Sequence, residues 1–372
     1  MKIFTKTFLF LLILFSPSIL FCQYKGVISY FERFEIQEFT MDEEGNIVFS
    51  NVFPVIKEPM YITIAPNREF LIVSIDGWTE KDRLELFSID RDSNIHYEKL
   101  LESENFWCNP PTFSPDSKYM ITLYYREEIS LWTINLFKIE EGYNFVNTGS
   151  FIDIDANNLN RVHKLTQVTN NGTFLGNNDN EMCVFKFDKN TETISFTGQR
   201  INISPINSTG DTILSPNERY CAHIGSSLGC ILTIEPDGTV NNDVHFLNTQ
   251  DLNPNQICFS PNSSYLYISY VGGKGSIESH QIFYNGENNI IQREIGYSVA
   301  EPMDITPDGK FIILANRRSI YGQWISIFRL YEDGTFQKLD KDIYLQNTSI
   351  SDIKLIPPYV TSTNDEIWEM YK

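Results

Sequence analysis

Five stretches of the chain repeat one phrase: "TIAPNREFLIVSI" (63–75), "TFSPDSKYMITLYY" (112–125), "ILSPNERYCAHI" (213–224), "CFSPNSSYLYISY" (258–270) and "DITPDGKFIILAN" (304–316). In each, an apolar run meets a small residue, a proline and an Asp or Asn, and a second apolar run follows. Proline presets φ for the first corner of a turn, and the Asp or Asn after it bonds the local backbone. The run that follows is β-branched or aromatic, which suits a pleated, half-buried surface. Each phrase therefore predicts a hairpin of two strands.

With the proline or its equivalent as a marker, the phrase falls at Pro66, Pro115, Asn170, Pro216, Pro261, Pro307 and Pro357, in steps of about 45 to 55 residues. That is the spacing of propeller blades. A second phrase trails most of the first ones, as in "LELFSIDRDSN" (84–94), "ILTIEPDGTV" (231–240) and "SIFRLYEDGTF" (326–336), where an apolar strand enters an acidic, Gly- or Asn-containing turn. Two hairpins per repeat make a four-stranded antiparallel blade. The expectation is an all-β, seven-bladed β-propeller. Closing the ring should pair the two termini in one blade, with two strands from "GVISYFERFEI" and "NIVFSNVFPVI" and two from the C-terminal end. The irregular stretch "DANNLNRVHKLTQV" (155–168) is expected to decorate the third blade.

The first residues, "MKIFTKTFLFLLILFSPSILFCQ", have the basic start and apolar run of a secretory leader, and Ser16-Pro17-Ser18 interrupts the run before it reaches membrane-spanning length. Residues 1–22 are therefore read as a signal peptide and 23–372 as one propeller domain without a transmembrane helix. The mature chain is expected to be secreted or periplasmic. Lipid anchoring at Cys22 is disfavoured by the bulky Phe21 before it. The net charge of −19 repels polyanions and excludes nucleic acid as a partner. Without Cys22, five cysteines remain, with no CxxC pair, so buried free thiols are expected and a Cys221–Cys230 bridge is the lesser alternative.

The recurring Ser-Pro-Asp-Gly-type corner, followed by phrases such as "IFRLYEDGTF", resembles the lactonase-like seven-bladed propellers with YVTN-type repeats. The resemblance covers almost the whole mature chain. It implies the fold; the family's Pro-Arg-His phrase is absent, so no catalytic residue carries over.

In a propeller the loops leading into each inner strand and those joining the second and third strands gather at one mouth of the channel, and the proline corners lie on the opposite face. The loops at that mouth offer Glu58, Trp107, Tyr297, Glu301, Arg317, Arg318 and Trp324 as candidate ligand-binding residues. Glu58 and Glu301 stand in two copies of Glu-Pro-Met, where a pair of carboxylates could serve as acid and base. The arginines and aromatic rings suit sugars or anionic small ligands. "DIDANN" (153–158) and "NNDNE" (177–181) lack the spacing of a calcium loop and read as turns. No phosphate loop, dinucleotide fingerprint or GxSxG elbow occurs, and neither a cofactor nor a metal is expected. The reading is an exported, non-catalytic scaffold for a protein, glycan or small-molecule ligand. The alternative is a lactonase-like hydrolase with a diverged pocket, in which Glu58, Glu301 and Arg317 act together.

Overall fold

The computed structural model describes residues 24–358 without 76–81, 107–108, 127–130, 155–158, 160–161, 179, 207–209, 226–227, 248–252, 272–274, 297–299, 319–321 and 346–347. At 82, 102–106, 124–126, 131, 300–301, 317–318 and 322 only the backbone is described. The leader, Cys22, Trp107 and Tyr297 thus lie outside the described residues.

Strands β1 (Tyr24–Tyr30), β2 (Glu35–Met41) and β3 (Ile47–Pro54) come first. Blade 1 holds β4 (Pro59–Ile64), β5 (Phe70–Ile75), β6 (Asp82–Ile89) and β7 (Ile95–Phe106). Blade 2 holds β8 (Thr112–Phe113), β9 (Tyr119–Arg126), β10 (Leu131–Glu140) and β11 (Asn144–Asp153). Blade 3 has β12 (Thr173–Asn178), β13 (Glu181–Asp188) and β14 (Thr193–Asn202). Blade 4 has β15 (Thr212–Leu214), β16 (Tyr220–Ile224), β17 (Gly229–Ile234) and β18 (Val240–Phe246). Blade 5 has β19 (Pro254–Phe259), β20 (Tyr265–Tyr270), β21 (Ser276–Ile282) and β22 (Asn288–Ile295). Blade 6 has β23 (Ala300–Ile305), β24 (Phe311–Arg318) and β25 (Gly322–Leu330), with its fourth strand split into β26 (Phe336–Lys338) and β27 (Ile343–Leu345). The last strand, β28 (Ile350–Ile356), returns to pair antiparallel with β1, giving blade 7 the order β28-β1-β2-β3.

The seven-bladed ring is therefore the predicted one, but the closing blade takes one strand from the C-terminal end and three from the N-terminal end. The predicted split was two and two. The difference arises because "GVISYFERFEI" is itself a hairpin: the turn at 31–34 separates β1 from β2, with Phe34 at φ 52°.

The repeated corners share one mechanism. In blade 2 the amide of Ser117 donates to Ser114 O at 2.8 Å, Tyr119 N donates to Ser114 Oγ at 3.0 Å, and Ser114 Oγ donates to Asp116 Oδ1 at 2.7 Å. Ser215 with Asn217 and Ser260 with Asn262 repeat the arrangement. The Asp or Asn acts as a cap, and the left-handed position falls one residue later, on Arg68, Ser117, Glu218, Ser263 and Gly309. Only Gly309 adopts that conformation without the steric cost of a Cβ.

The core lies between neighbouring blades. Ile28 and Ile353 of blade 7 pack with Phe311 and Ile325 of blade 6, while Val27 and Ile36 pack with Leu71 and Phe87 of blade 1. The irregular stretch before blade 3 is not decoration. Leu159, Val162, Leu165 and Val168 are buried in the core between blades 2 and 3, and the innermost strand there is reduced to the bridge Leu165↔Gly176. Cys183, Cys221, Cys230 and Cys258 are free and buried. Cys221 faces Leu232 and Cys230 faces His223 across β16–β17, so the two thiols are not opposite one another.

Candidate functional site: the central channel

Each inner strand runs from the mouth toward its proline corner, and its side chains alternate. Residues five before the marker include Tyr61, Asp211, Gln256 and Asp352; those three before it include Thr63, Gln167, Cys258, Asp304 and Lys354. All of these line one central cavity of about 490 Å³. On the corner side it continues into a funnel of about 1460 Å³, for Gln167, Asp304 and Leu355 border both.

An innermost strand has backbone amides with no neighbouring strand on its channel side, and buried amides require acceptors. Side chains of the preceding blade supply them. Gln256 Oε1 accepts from Met303 N at 2.7 Å, Asp304 Oδ2 from Leu355 N at 2.7 Å, and Asp352 Oδ2 from Ile62 N at 2.8 Å. The ring from blade 5 round to blade 1 is stitched by one device.

Two lysines enter this polar belt. Lys164, from the irregular strand of blade 3, pairs with Asp211 of blade 4 and lies 5.6 Å from the ring centre of Tyr61 in blade 1. It therefore reaches across the channel. Lys354 Nζ lies 3.2 Å from Asp352 Oδ1. Burial alone would lower both ammonium groups, but the facing carboxylates outweigh it and hold each above the ordinary lysine range, so both stay charged.

The aspartates diverge. Burial would raise Asp211, yet Lys164 outweighs it and holds the carboxyl below its usual value. Burial dominates at Asp304, whose carboxyl sits above the usual range although Lys354 and the amides of Leu355 and Ile305 oppose the shift. Carboxyls on one cavity with divergent environments are the usual setting for acid–base work.

His223 is fully buried behind Asp211, with Nδ1 2.8 Å from Thr212 Oγ1. Burial pushes its imidazole down to about 4, against the opposing pull of Asp211. An unfolded histidine titrates near about 6.5, so the unfolded chain binds the proton first as pH falls. The contribution is complete above that value and is lost between roughly pH 6.5 and pH 4, amounting to about 3 kcal/mol. Urea unfolding across this window is expected to show the slope in the natural chain and a flatter one in His223→Asn. An equal slope in both would reject the assignment.

The mouth residues distribute unevenly. Ala300 pairs with Asn316, Asn316 with Trp324, and Arg317 with Gln323, so the backbones of Glu301, Arg317, Arg318 and Trp324 meet at the mouth end of blade 6. The half-buried Trp324 turns toward the outer strand, its ring 6.4 Å from that of Tyr344. Glu58 is half-buried at the mouth of blade 1. The two Glu-Pro-Met copies are not equivalent. Ile62↔Val73 matches Met303↔Leu314, which places Glu58 four residues and Glu301 two residues before the matched position. In the segment read as a turn, Asn177 and Asn178 end strand β12 and are buried, and Asn177 Oδ1 accepts from Lys164 N at 2.9 Å. Among the described residues, no group of three His, Cys, Asp or Glu side chains is placed to hold a metal ion.

The channel belt is inconspicuous in the sequence because most of its residues stand inside the strands before the proline corners, not in the loops. Counting back three and five residues from each marker would have found Asp211, Asp304, Asp352 and Lys354; Lys164 breaks the count because its strand is irregular.

No family model matches the chain, and no curated protein resembles it in sequence. Solved structures do resemble it. A candidate 6-phosphogluconolactonase of Bacteroides fragilis superposes with a TM-score of 0.72 at 16% identity, over 92% of this chain and 100% of that one. The periplasmic gluconolactonase PpgL of Pseudomonas aeruginosa gives 0.70 at 15% identity, over 90% and 99%. A second candidate 6-phosphogluconolactonase, from Bacteroides uniformis, gives 0.69 at 14% identity, over 90% and 99%. In fold, the chain is a seven-bladed β-propeller, as these three structures are.

Proposed function

We propose that the chain is an exported lactonase-type hydrolase that opens a small neutral lactone in its central channel. The observation that carries this reading is that Lys354, a charged ammonium, and Asp304, a carboxyl held above its ordinary range, stand on adjacent inner strands facing one cavity. In lactone opening, water adds to the carbonyl carbon and loses a proton to a base. The carbonyl oxygen gains negative charge; the ring C–O bond then breaks, and the departing alkoxide takes a proton. Asp304 is suited to the proton transfers and Lys354 to the oxyanion. Glu58, Glu301 and Arg317 would receive and orient the substrate at the mouth. The acidic chain favours a neutral substrate and expulsion of the carboxylate product. The two candidate 6-phosphogluconolactonases and the gluconolactonase support a lactonase reading by likeness of fold, and the periplasmic one agrees with an exported chain. No helix among the described residues is long and apolar enough to cross a membrane.

A second reading, a non-catalytic binding scaffold, draws on the structural duty of the same carboxylates. Asp304 already accepts amides from Leu355 at 2.7 Å and from Ile305 at 2.9 Å. Proton release from glucono-lactone separates the two. Turnover above the spontaneous rate is expected, with kcat/KM reduced roughly 100-fold in Lys354→Met. Saturable binding without turnover would overturn the hydrolase reading in favour of the scaffold.

A further inference from the structure

The outer edge of blade 7 differs from those of the other blades. Strand β3 carries no charged residue, and the uncharged stretch runs from Gly45 to Ile56 in a chain of net charge −19. Among the described outer strands, the others of more than three residues each carry charge: Glu98 and Lys99 in β7, Asp153 in β11, Arg200 in β14, Asp243 in β18, Arg293 and Glu294 in β22. The three-residue β26 carries Lys338, and β27 is only three residues long. Propellers leave outer edges open, and an edge is ordinarily protected by charge, particularly lysine, by proline or by shortness. On β3 only the terminal Pro54 and a bulge opposite Glu38 serve that purpose. Val48 is 63% exposed and Val52 48%, with Phe34 and Ile56 exposed beside them.

We propose that β3 pairs antiparallel with β3 of a second copy, joining two blades into one continuous sheet. This inference is independent of the channel chemistry. The segment Val48-Phe49-Ser50-Asn51-Val52-Phe53 is complementary to itself. A two-fold axis between Ser50 and Asn51 sets Val48 opposite Phe53, Phe49 opposite Val52, and Ser50 opposite Asn51. Aromatic residues then face β-branched ones, a favourable cross-strand combination, and the polar residues face each other.

The bulge is what makes this register possible. Residues 50 and 51 together oppose Glu38, because Phe49 pairs with Phe39 and Val52 with Gln37. Without the extra residue, Val48 and Phe53 would project from opposite faces; with it they share a face, as Phe49 and Val52 do. A two-fold axis normal to the sheet preserves these faces. The same segment is also where two acidic copies can approach with least repulsion.

The test is sedimentation equilibrium of the full mature protein with Val48→Lys/Val52→Lys beside it. The natural chain is expected to approach twice the protomer mass as concentration rises, more readily at high salt, where the repulsion of two acidic copies is screened. The double variant is expected to remain at the protomer mass. Each lysine lowers the net negative charge, so association driven only by overall charge would be strengthened by the substitutions. Both positions are exposed, and an unchanged melt confirms that the variant is folded. A natural chain that stays monomeric at every concentration and salt, or a lysine variant that associates equally well, would overturn the proposal.

Discussion

Removal of residues 351–372 is expected to abolish the cooperative melt and yield a chain that aggregates on expression. The deletion removes all of β28 but its first residue, and with it Ile353, Leu355 and Ile356, each at most 4% exposed. Burial of such side chains contributes roughly 2 kcal/mol apiece, so about 6 kcal/mol is lost before any hydrogen bond is counted. That is comparable with the whole stability of many domains, about 5–15 kcal/mol. The loss does not stop at packing. Asp352 no longer accepts from Ile62 N, Asp304 loses the amide of Leu355, and β1 becomes an open edge inside the ring. Circular dichroism melts of the truncated and full chains decide the matter, and coincident melts would mean that the ring does not close through β28.

The fold was legible because its signal is repeated. One proline corner is weak, but the same corner at regular steps fixes the number of blades, and the β-branched run after each corner fixes the strand that follows. What was not legible follows from physical causes. The closing blade was divided wrongly because a turn inside "GVISYFERFEI" has neither glycine nor proline to announce it, and Phe34 adopts the left-handed conformation instead. The inner strand of blade 3 reads as decoration because Leu159, Val162, Leu165 and Val168 recur every third residue, without the alternation of a strand, though all four are buried. At the mouth, the backbones of Glu301, Arg317 and Arg318 lie at one end of blade 6, while Trp324 turns to Tyr344. The channel charges were hidden inside strands that read as structural, because an aspartate such as Asp352 serves a neighbouring blade's amide, a contact of 290 residues' separation in sequence.

The rate of lactone opening by Asp304→Asn, compared with the natural chain across pH, tests the central claim most directly. Asparagine keeps one oxygen, which can accept from the Leu355 amide and hold blades 6 and 7 together, while the acceptor for Ile305 N and the group that exchanges a proton are gone; the melt is expected to fall modestly without loss of cooperativity. Loss of a general base lowers rates by about 100-fold to 10,000-fold. Because burial raises Asp304, the natural chain must lose activity as pH falls through a value above the ordinary carboxyl range, the base being active only when ionised. The account predicts fast turnover with that acid limb in the natural chain, and a slow rate without it in Asp304→Asn. Equal rates and equal pH profiles in the two proteins, or no acceleration by the natural chain at any pH, would contradict it.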